Sequence, residues 1–114
     1  MNAVPLRTLT PSLSVAPQLS PEAMAEVARL GFKSVINNRP DFEAGPTQPT
    51  SAQIEAAAQE AGLAYRYQPV GPAYQSPAEV EAFAALLQEL PGPVLAFCRS
   101  GTRSAKLYVA GMDR

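Results

Sequence analysis

The segment VLAFCRSGTRS, residues Val94–Ser104, carries most of the information about the fold. It begins with four apolar residues, a pattern typical of a central strand in a parallel sheet. A short loop that contains glycine follows, and a helix is predicted from about Ser104. Open α/β sheets bind ligands where a strand ends in such a loop before a helix. The segment therefore predicts both the fold class and the location of a ligand site.

The loop has the residue types of an anion site built around a thiol. Backbone amides at a helix N-terminus attract anions, and Gly101 lets the backbone approach a ligand closely. These amides and the neighbouring arginine charges favour the thiolate of Cys98, the nucleophilic form of cysteine. Arg103 is predicted to clamp an oxyanion through two parallel hydrogen bonds, and Ser104 to donate to the thiolate or cap the helix. The predicted substrate-binding residues of the loop are Arg99, Ser100, Gly101, Thr102 and Ser104.

The chain has one cysteine and no histidine. This excludes an internal disulfide, Cys-His and Ser-His-Asp catalysis and the usual zinc sites, and no metal or cofactor is predicted. A free cysteine at a strand end is otherwise often a small buried hydrophobic residue. The two arginines and the glycine that follow Cys98 favour a functional anion loop over that structural interpretation.

Composition and charge restrict the partners. The 114 residues are 46% hydrophobic and 17% charged, with a formal net charge of −1, as expected of one soluble globular domain. This charge argues against a partner nucleic acid or membrane surface, since either needs a basic face. Residues 1–5 lack a secretory signal pattern. We expect a single domain over residues 1–114, located in the cytoplasm.

Proline, glycine and capping residues divide the rest of the chain into short elements. Strands are predicted at 6–8, 13–15, 32–36, 63–68 and 94–97, and helices at 20–31, 50–62, 76–90 and from 104 onward. Strand and helix alternate three times. This alternation predicts an α/β fold with a central, mainly parallel sheet flanked by helices.

The polar segment 37–49 is a second candidate functional loop, because it is long and follows a predicted strand. Asp41 is the candidate acid that would protonate a leaving group. Asn38 and Arg39 are predicted to bind the substrate. The alternative is that Asp41 and Asn38 shape a turn, while Arg39 is solvated or pairs with a loop carboxylate such as Glu43.

Three motifs resemble a known family along nearly the whole chain. They are Gln18-Leu19-Ser20-Pro21, Val35-Ile36-Asn37-Asn38-Arg39-Pro40-Asp41 and Phe97-Cys98-Arg99-Ser100-Gly101-Thr102-Arg103-Ser104. They look like the bacterial DUF442 family, the phosphatase-like domain of beta-lactamase hydrolase-like proteins. The resemblance implies a protein-tyrosine-phosphatase-like fold with Cys98 at the base of the loop, the alternative being a rhodanese-like fold. It implies either a phosphatase-like or a sulfurtransferase activity.

Two departures from cysteine phosphatases favour sulfur transfer. Their signature places glycine three and arginine six positions after the cysteine, but here the arginine is at the fifth position, Arg103. The segment 69–75, where a phosphatase usually carries its acid, has no carboxylate. The sequence therefore favours a sulfurtransferase that forms a persulfide on Cys98 from thiosulfate or another persulfide. The alternatives are a phosphatase that acts on phosphate esters through a phosphocysteine, and a non-catalytic anion-binding module.

The last predicted helix presents an apolar stripe with no later element to cover it. The stripe consists of Leu107, Val109 and Met112. Members of the family that the chain resembles usually continue beyond this point. We therefore expect either a domain shortened at its C-terminus or a homodimer formed through this helix.

Overall fold

The computed structural model describes residues 4–112. The segment considered for a secretory signal lies partly outside the described residues, since these begin at residue 4. The elements in chain order are β1 (Arg7–Thr10), β2 (Leu13–Ala16), α1 (Ala23–Arg29), β3 (Ser34–Asn37), α2 (Ser51–Glu60), β4 (Ala64–Tyr67), α3 (Pro77–Glu89), β5 (Val94–Phe97) and α4 (Thr102–Met112). Within residues 4–112, no helix is long and apolar enough to cross a membrane.

Local capping interactions set the helix boundaries, as the sequence predicts. At the start of α3, the Glu79 N–H donates to the Ser76 hydroxyl at 3.1 Å, and the Ser76 N–H donates to the Glu79 carboxylate at 2.8 Å. Thr50 and Gln53 form the same reciprocal pair at the start of α2. These pairs satisfy amides that have no partner inside the helix, and so fix where each helix begins.

The five strands form one sheet in the order β1-β2-β5-β3-β4. Only β1 runs antiparallel, pairing with β2, while β5 is parallel to both β2 and β3. Strand β5 is apolar and entirely buried, because helices cover both faces of the sheet. The predicted α/β architecture with a mainly parallel sheet is confirmed.

Alternating side chains of the strands feed two separate cores. On one face, Val35, Leu95 and Phe97 pack with α1 and α2 through residues such as Met24 and Ile54. The opposite face packs against α3 and α4. The buried residues there are Leu13, Val15, Ile36, Val70, Val80, Phe83, Leu90, Val94, Ala96 and Leu107. The two cores hold β5 from both sides, and so fix the position of the loop that follows it.

The last helix differs from its prediction in two ways. It begins at Thr102 rather than Ser104, because the Ala105 N–H already donates to the Gly101 carbonyl at 3.1 Å. The predicted apolar stripe is wrong for Leu107, which is fully buried, whereas Val109 and Met112 are exposed. Residues two apart on a helix lie on different sides, so the three side chains do not share one face. The shortened domain and the homodimer stay predictions.

Candidate active site

Three loops meet where β2, β5 and β3 end at the same level. In the sheet register, Phe97 lies between Ala16 on one side and Asn37 on the other. The ladder continues one step further, because the Cys98 N–H donates to the Ala16 carbonyl at 3.3 Å and the Asn38 N–H donates to the Phe97 carbonyl at 2.8 Å. The central strand thus delivers Cys98 between the loops that follow its two neighbours.

The Cys98 side chain is held in a turn of its own loop. It is fully buried, and the Gly101 N–H donates to its sulfur at 3.0 Å. Gly101 has a φ of +90° and lies against the Ala16 backbone, where an added Cβ would meet Ala16 at 3.4 Å. The hydrogen bond holds the sulfur against the backbone immediately before α4, which begins at Thr102. One backbone amide of the loop thus contacts the Cys98 sulfur, and binding of an anion by the loop stays a prediction.

Arg103 makes a two-pronged ion pair with Glu43, which follows β3. Its Nη1 and Nη2 donate to the Glu43 Oε2 and Oε1 at 2.9 and 2.8 Å, and Nη1 also donates to the Val70 carbonyl at 3.2 Å. Only 8% of the Arg103 side chain is exposed. These contacts fix the plane of the guanidinium group between Glu43 and the Val70 carbonyl. One edge of the Arg103 guanidinium thus binds a carboxylate of the chain itself, and its role as an oxyanion clamp stays a prediction.

Arg39, in the loop after β3, binds the same Glu43 carboxylate. Its Nε donates to the Glu43 Oε1 at 3.0 Å, and its Nη1 donates to the Gln18 Oε1 at 3.2 Å. Gln18 in turn donates its backbone N–H to the Arg99 carbonyl at 3.3 Å, which ties Arg39 to the Cys98 loop. The pKa of Glu43 is lowered from its ordinary value, mainly by the Arg103 hydrogen bond and further by Arg39, although burial opposes this. Glu43 is therefore an anion at neutral pH.

Asn38 and Ser104 form a buried pair under the loop. The Ser104 hydroxyl donates to the Asn38 Oδ1 at 2.8 Å, and the Asn38 Nδ2 donates to the Gln68 carbonyl at 2.9 Å. Both side chains are fully buried. The structure thus gives Ser104 a different partner from the thiolate, and it is not the helix cap. The pair joins the start of α4 to the loop after β3.

Asp41 lies at the start of a neighbouring helix rather than unattached in the loop. Its Oδ1 accepts the N–H of Ser51, the first residue of α2, at 2.7 Å. The Asp41 N–H donates to the Tyr67 hydroxyl at 2.8 Å. A carboxylate at a helix N-terminus is a favourable structural partner. These contacts agree with the turn interpretation of Asp41, and its role as an acid stays a prediction.

A buried cluster of polar side chains stabilises the loop after β3 through hydrogen bonds. The Tyr65 hydroxyl accepts from the Asn37 Nδ2 at 3.0 Å and shares a hydrogen bond with the Ser51 hydroxyl at 2.7 Å. The Asn37 Oδ1 accepts the Arg39 N–H at 2.9 Å. Burial raises the pKa of Tyr65, so its hydroxyl stays protonated. The cluster fixes the backbone from which Arg39 projects.

Other predicted residues lie on the outer side of the loop. Arg99, Ser100 and Thr102 are exposed, and the Ser100 hydroxyl donates to the Thr102 hydroxyl at 3.0 Å. A groove of about 460 Å³ adjoins Thr102, between the segment 73–75 and α4. Tyr74 and Lys106 line it, the former 71% exposed. Groups bulkier than a simple oxyanion have room there.

The sequence did not predict the contacts of two residues in the site, Glu43 and Gln18. Glu43 was expected only as a partner of Arg39, yet it also binds Arg103, and Gln18 was part of a motif without an assigned role. The local signal for Glu43 was its position four residues after Arg39 in a functional loop. Among residues 4–112, no three His, Cys, Asp or Glu side chains gather as a metal site.

The chain is similar to a family of phosphatase-like domains. Residues 5–113 match the family described as beta-lactamase hydrolase-like protein, phosphatase-like domain. A beta-lactamase hydrolase-like protein of Agrobacterium fabrum is 40% identical over 99 residues, which are 87% of this chain and 23% of that protein. The corresponding protein of Xylella fastidiosa is 40% identical over 96 residues, 84% of this chain and 22% of that protein. The chain thus spans less than a quarter of the length of these curated relatives.

Solved structures share the fold. A candidate phosphatase from Neisseria meningitidis is 38% identical with a TM-score of 0.82, covering 89% of this chain and 71% of that one. TpbA of Pseudomonas aeruginosa, in complex with pTyr, is 22% identical with a TM-score of 0.67, covering 93% of this chain and 64% of that one. The second likeness shows the fold alone. The predicted protein-tyrosine-phosphatase-like fold is confirmed, and the rhodanese-like alternative is not.

Proposed function

Because the chain belongs to the family of phosphatase-like domains of beta-lactamase hydrolase-like proteins, we propose that it is a cysteine-thiolate hydrolase of small phosphate monoesters. Cys98 is the nucleophile, and the intermediate is a phosphocysteine. One observation carries the proposal, the 3.0 Å hydrogen bond from the Gly101 N–H to the Cys98 sulfur. It supports a thiolate at the centre of a loop whose amides suit an oxyanion.

The reaction proceeds in two displacements. The Cys98 thiolate attacks phosphorus, the ester P–O bond breaks, and the leaving oxygen takes a proton from solvent. Arg103 and the loop amides hold the non-bridging oxygens, on which negative charge is concentrated. Water then attacks the phosphocysteine, the P–S bond breaks, and the thiolate and inorganic phosphate are released while the proton of the attacking water passes to solvent.

The site offers no evident carboxylic acid for the leaving oxygen. Glu43 is ionised because its two arginines lower its pKa, and one oxygen of Asp41 already accepts the Ser51 N–H. The segment 69–75 has no carboxylate. The substrates we propose are therefore monoesters whose leaving oxygen is weakly basic, such as aryl phosphates. The groove beside Tyr74 suits an aromatic ring.

Sulfur transfer is the second candidate. The relatives favour phosphoryl chemistry, and they lend no support to the preference for sulfur that the sequence suggests. The five-position spacing from Cys98 to Arg103 still favours it, because a tighter loop suits a smaller transferred group. In that reaction the Cys98 thiolate attacks the sulfane sulfur of thiosulfate, the S–S bond breaks, and sulfite leaves while a persulfide remains on Cys98.

A paired experiment separates these reactions. The wild type and Cys98→Ser are incubated with aryl phosphates and, separately, with thiosulfate, and the intact protein mass is measured in both. We expect hydrolysis of aryl phosphate that is sensitive to vanadate and lost in Cys98→Ser. A persulfide on Cys98 without any ester turnover would establish the second candidate instead. No reaction with either substrate, but with oxyanion binding retained, would indicate a non-catalytic anion-binding module.

A further inference from the structure

Arg39, in the loop after β3, and Arg103, in the first turn of α4, converge on one carboxylate oxygen. The Glu43 Oε1 accepts from Arg103 Nη2 at 2.8 Å and from Arg39 Nε at 3.0 Å. Both guanidinium groups are about nine-tenths buried. Two cations this close repel each other when they are removed from water, and the Glu43 charge offsets that repulsion. Glu43 thus bridges the two arginines and offsets their mutual repulsion.

The donors of Arg103 show which of its edges remains available. A guanidinium group has five N–H donors, and the contacts with Glu43 and the Val70 carbonyl use both donors of Nη1 and one of Nη2. Within residues 4–112, Nε has no hydrogen-bond partner, yet no fully buried side-chain polar atom there lacks one. Nε is therefore not fully buried. The edge formed by Nε and Nη2 remains for a ligand.

Arg39 has available donors as well. Its Nε binds Glu43, its Nη1 binds Gln18, and its Nη2 has no partner among the described residues. By the same reasoning Nη2 is not fully buried. Gln18 binds the carbonyl of Arg99 in the Cys98 loop. Arg39 is therefore held through Nε and Nη1, which leaves the donors of Nη2 available.

We infer that Glu43 is a positioning residue that orients both guanidinium groups toward one oxyanion, and that Arg39 is a second arginine ligand for that anion. The inference rests on the proposed function only for the identity of the anion. The alternative is competition, in which the Glu43 carboxylate occupies the oxyanion position and has to be displaced before an oxyanion binds. The available Nε edge of Arg103 supports positioning, because Glu43 and the ligand then use different edges of one guanidinium.

The test is direct binding of an oxyanion, which needs no turnover. The dissociation constants of tungstate and inorganic phosphate are measured by calorimetry for the wild type, Glu43→Gln, Glu43→Asp and Arg39→Gln. Glu89→Gln is the matched control, since Glu89 pairs with an arginine in an exposed bridge away from the site. Unfolding midpoints are recorded for every variant, so that a loss of binding is read only from folded protein.

We expect tungstate binding to weaken about tenfold or more in Glu43→Gln and Arg39→Gln, since misplaced or missing charged donors cost on that order. Glu43→Asp keeps the charge but is too short to bridge both arginines, so it should weaken binding severalfold while folded. Glu89→Gln should bind as the wild type does. Unchanged or tighter binding in folded Glu43→Gln or Glu43→Asp would overturn positioning in favour of competition.

The outcomes separate this inference from the proposed function. A wild type that binds tungstate through Arg39 and Glu43 but hydrolyses no ester would retain the inference and refute the hydrolase. A wild type that hydrolyses aryl phosphate with Arg39→Gln and Glu43→Gln unaffected in KM, kcat and tungstate binding would retain the hydrolase and refute the inference. Absence of oxyanion binding by the wild type would refute both.

Discussion

The backbone N–H of Gly101 points at the sulfur of Cys98 from 3.0 Å, and the +90° φ of Gly101 makes this direction possible. A side chain at that φ is strained, so Gly101→Ala should cost about 1 to 3 kcal/mol of stability and turn the amide away from the sulfur. We expect slower alkylation of Cys98 by iodoacetamide at neutral pH.

Gly31 supplies the matched control for this prediction. Its φ is +101° and no atom lies within 4 Å of an added Cβ, but it follows α1 far from the thiol in the chain. Gly31→Ala should lose a similar free energy of unfolding in urea and leave the alkylation rate unchanged. Equal alkylation rates in both variants would show that the Gly101 amide does not activate Cys98.

Arg103→Lys should separate the charge of the clamp from its shape. Lysine keeps the positive charge but cannot present two parallel donors to Glu43 and two more to a ligand. We expect kcat/KM for an aryl phosphate to fall by about 100-fold, the order of effect of losing fixed geometry at a reacting group. Arg66→Lys, which alters an exposed ion pair, is the control and should retain full activity.

The rate of ester hydrolysis should depend steeply on the leaving group. Glu43 is ionised, and one oxygen of Asp41 accepts the Ser51 N–H, so the proposed reaction takes the proton of the leaving oxygen from solvent. We therefore expect kcat/KM to rise strongly along a series of aryl phosphates as the phenol becomes more acidic. The series is measured under single-turnover conditions, so that phosphocysteine formation is observed. A flat dependence would show that a general acid operates after all.

Asp41→Asn tests the remaining candidate acid. Asparagine retains an oxygen that can accept the Ser51 N–H, so the structural role of Asp41 predicts a loss of no more than about 1 kcal/mol in stability. It also predicts aryl phosphatase activity close to that of the wild type. A large loss of kcat confined to poor leaving groups, together with loss of the alkaline limb of the pH profile, would instead identify Asp41 as the acid.

The Glu43 ion pairs should make stability depend on pH. The pKa of Glu43 is lower in the folded chain than in the unfolded one, so its contribution is present above the unfolded value of about 4.3 and is lost as the pH falls through the folded value. The difference in unfolding free energy between the wild type and Glu43→Gln should therefore be largest near neutral pH and shrink below about pH 4. Denaturant unfolding at several pH values measures it, and a constant difference would contradict the pairing.

The sequence alone predicted the order and type of every element described, with boundaries within a few residues. The reason is that caps such as Ser76 with Glu79 act over three or four positions, and local patterns encode them. The apolar run before Cys98 likewise indicated a buried strand with a ligand loop. Local patterns were thus sufficient for the architecture and for the nucleophile.

The hydrogen bonds and ion pairs between side chains of the site could not be predicted from local patterns. Arg103 and Glu43 are 60 positions apart, and Ser104 and Asn38 are 66 apart. Such pairs depend on which strands become neighbours in the sheet, and strand order cannot be inferred from residue type or local spacing. The burial of Leu107 was missed for the same reason, because it depends on where α3 packs against α4.

The central place of β5 has a consequence for synthesis of the chain. Strand β5 begins only at Val94, yet it fills the position between β2 and β3. A nascent chain that leaves the ribosome carries both neighbours long before the strand that joins them. Cys98 and Arg103 therefore join Arg39 and Glu43 only after β5 has been synthesised, and a translation product that ends before Val94 lacks the proposed nucleophile.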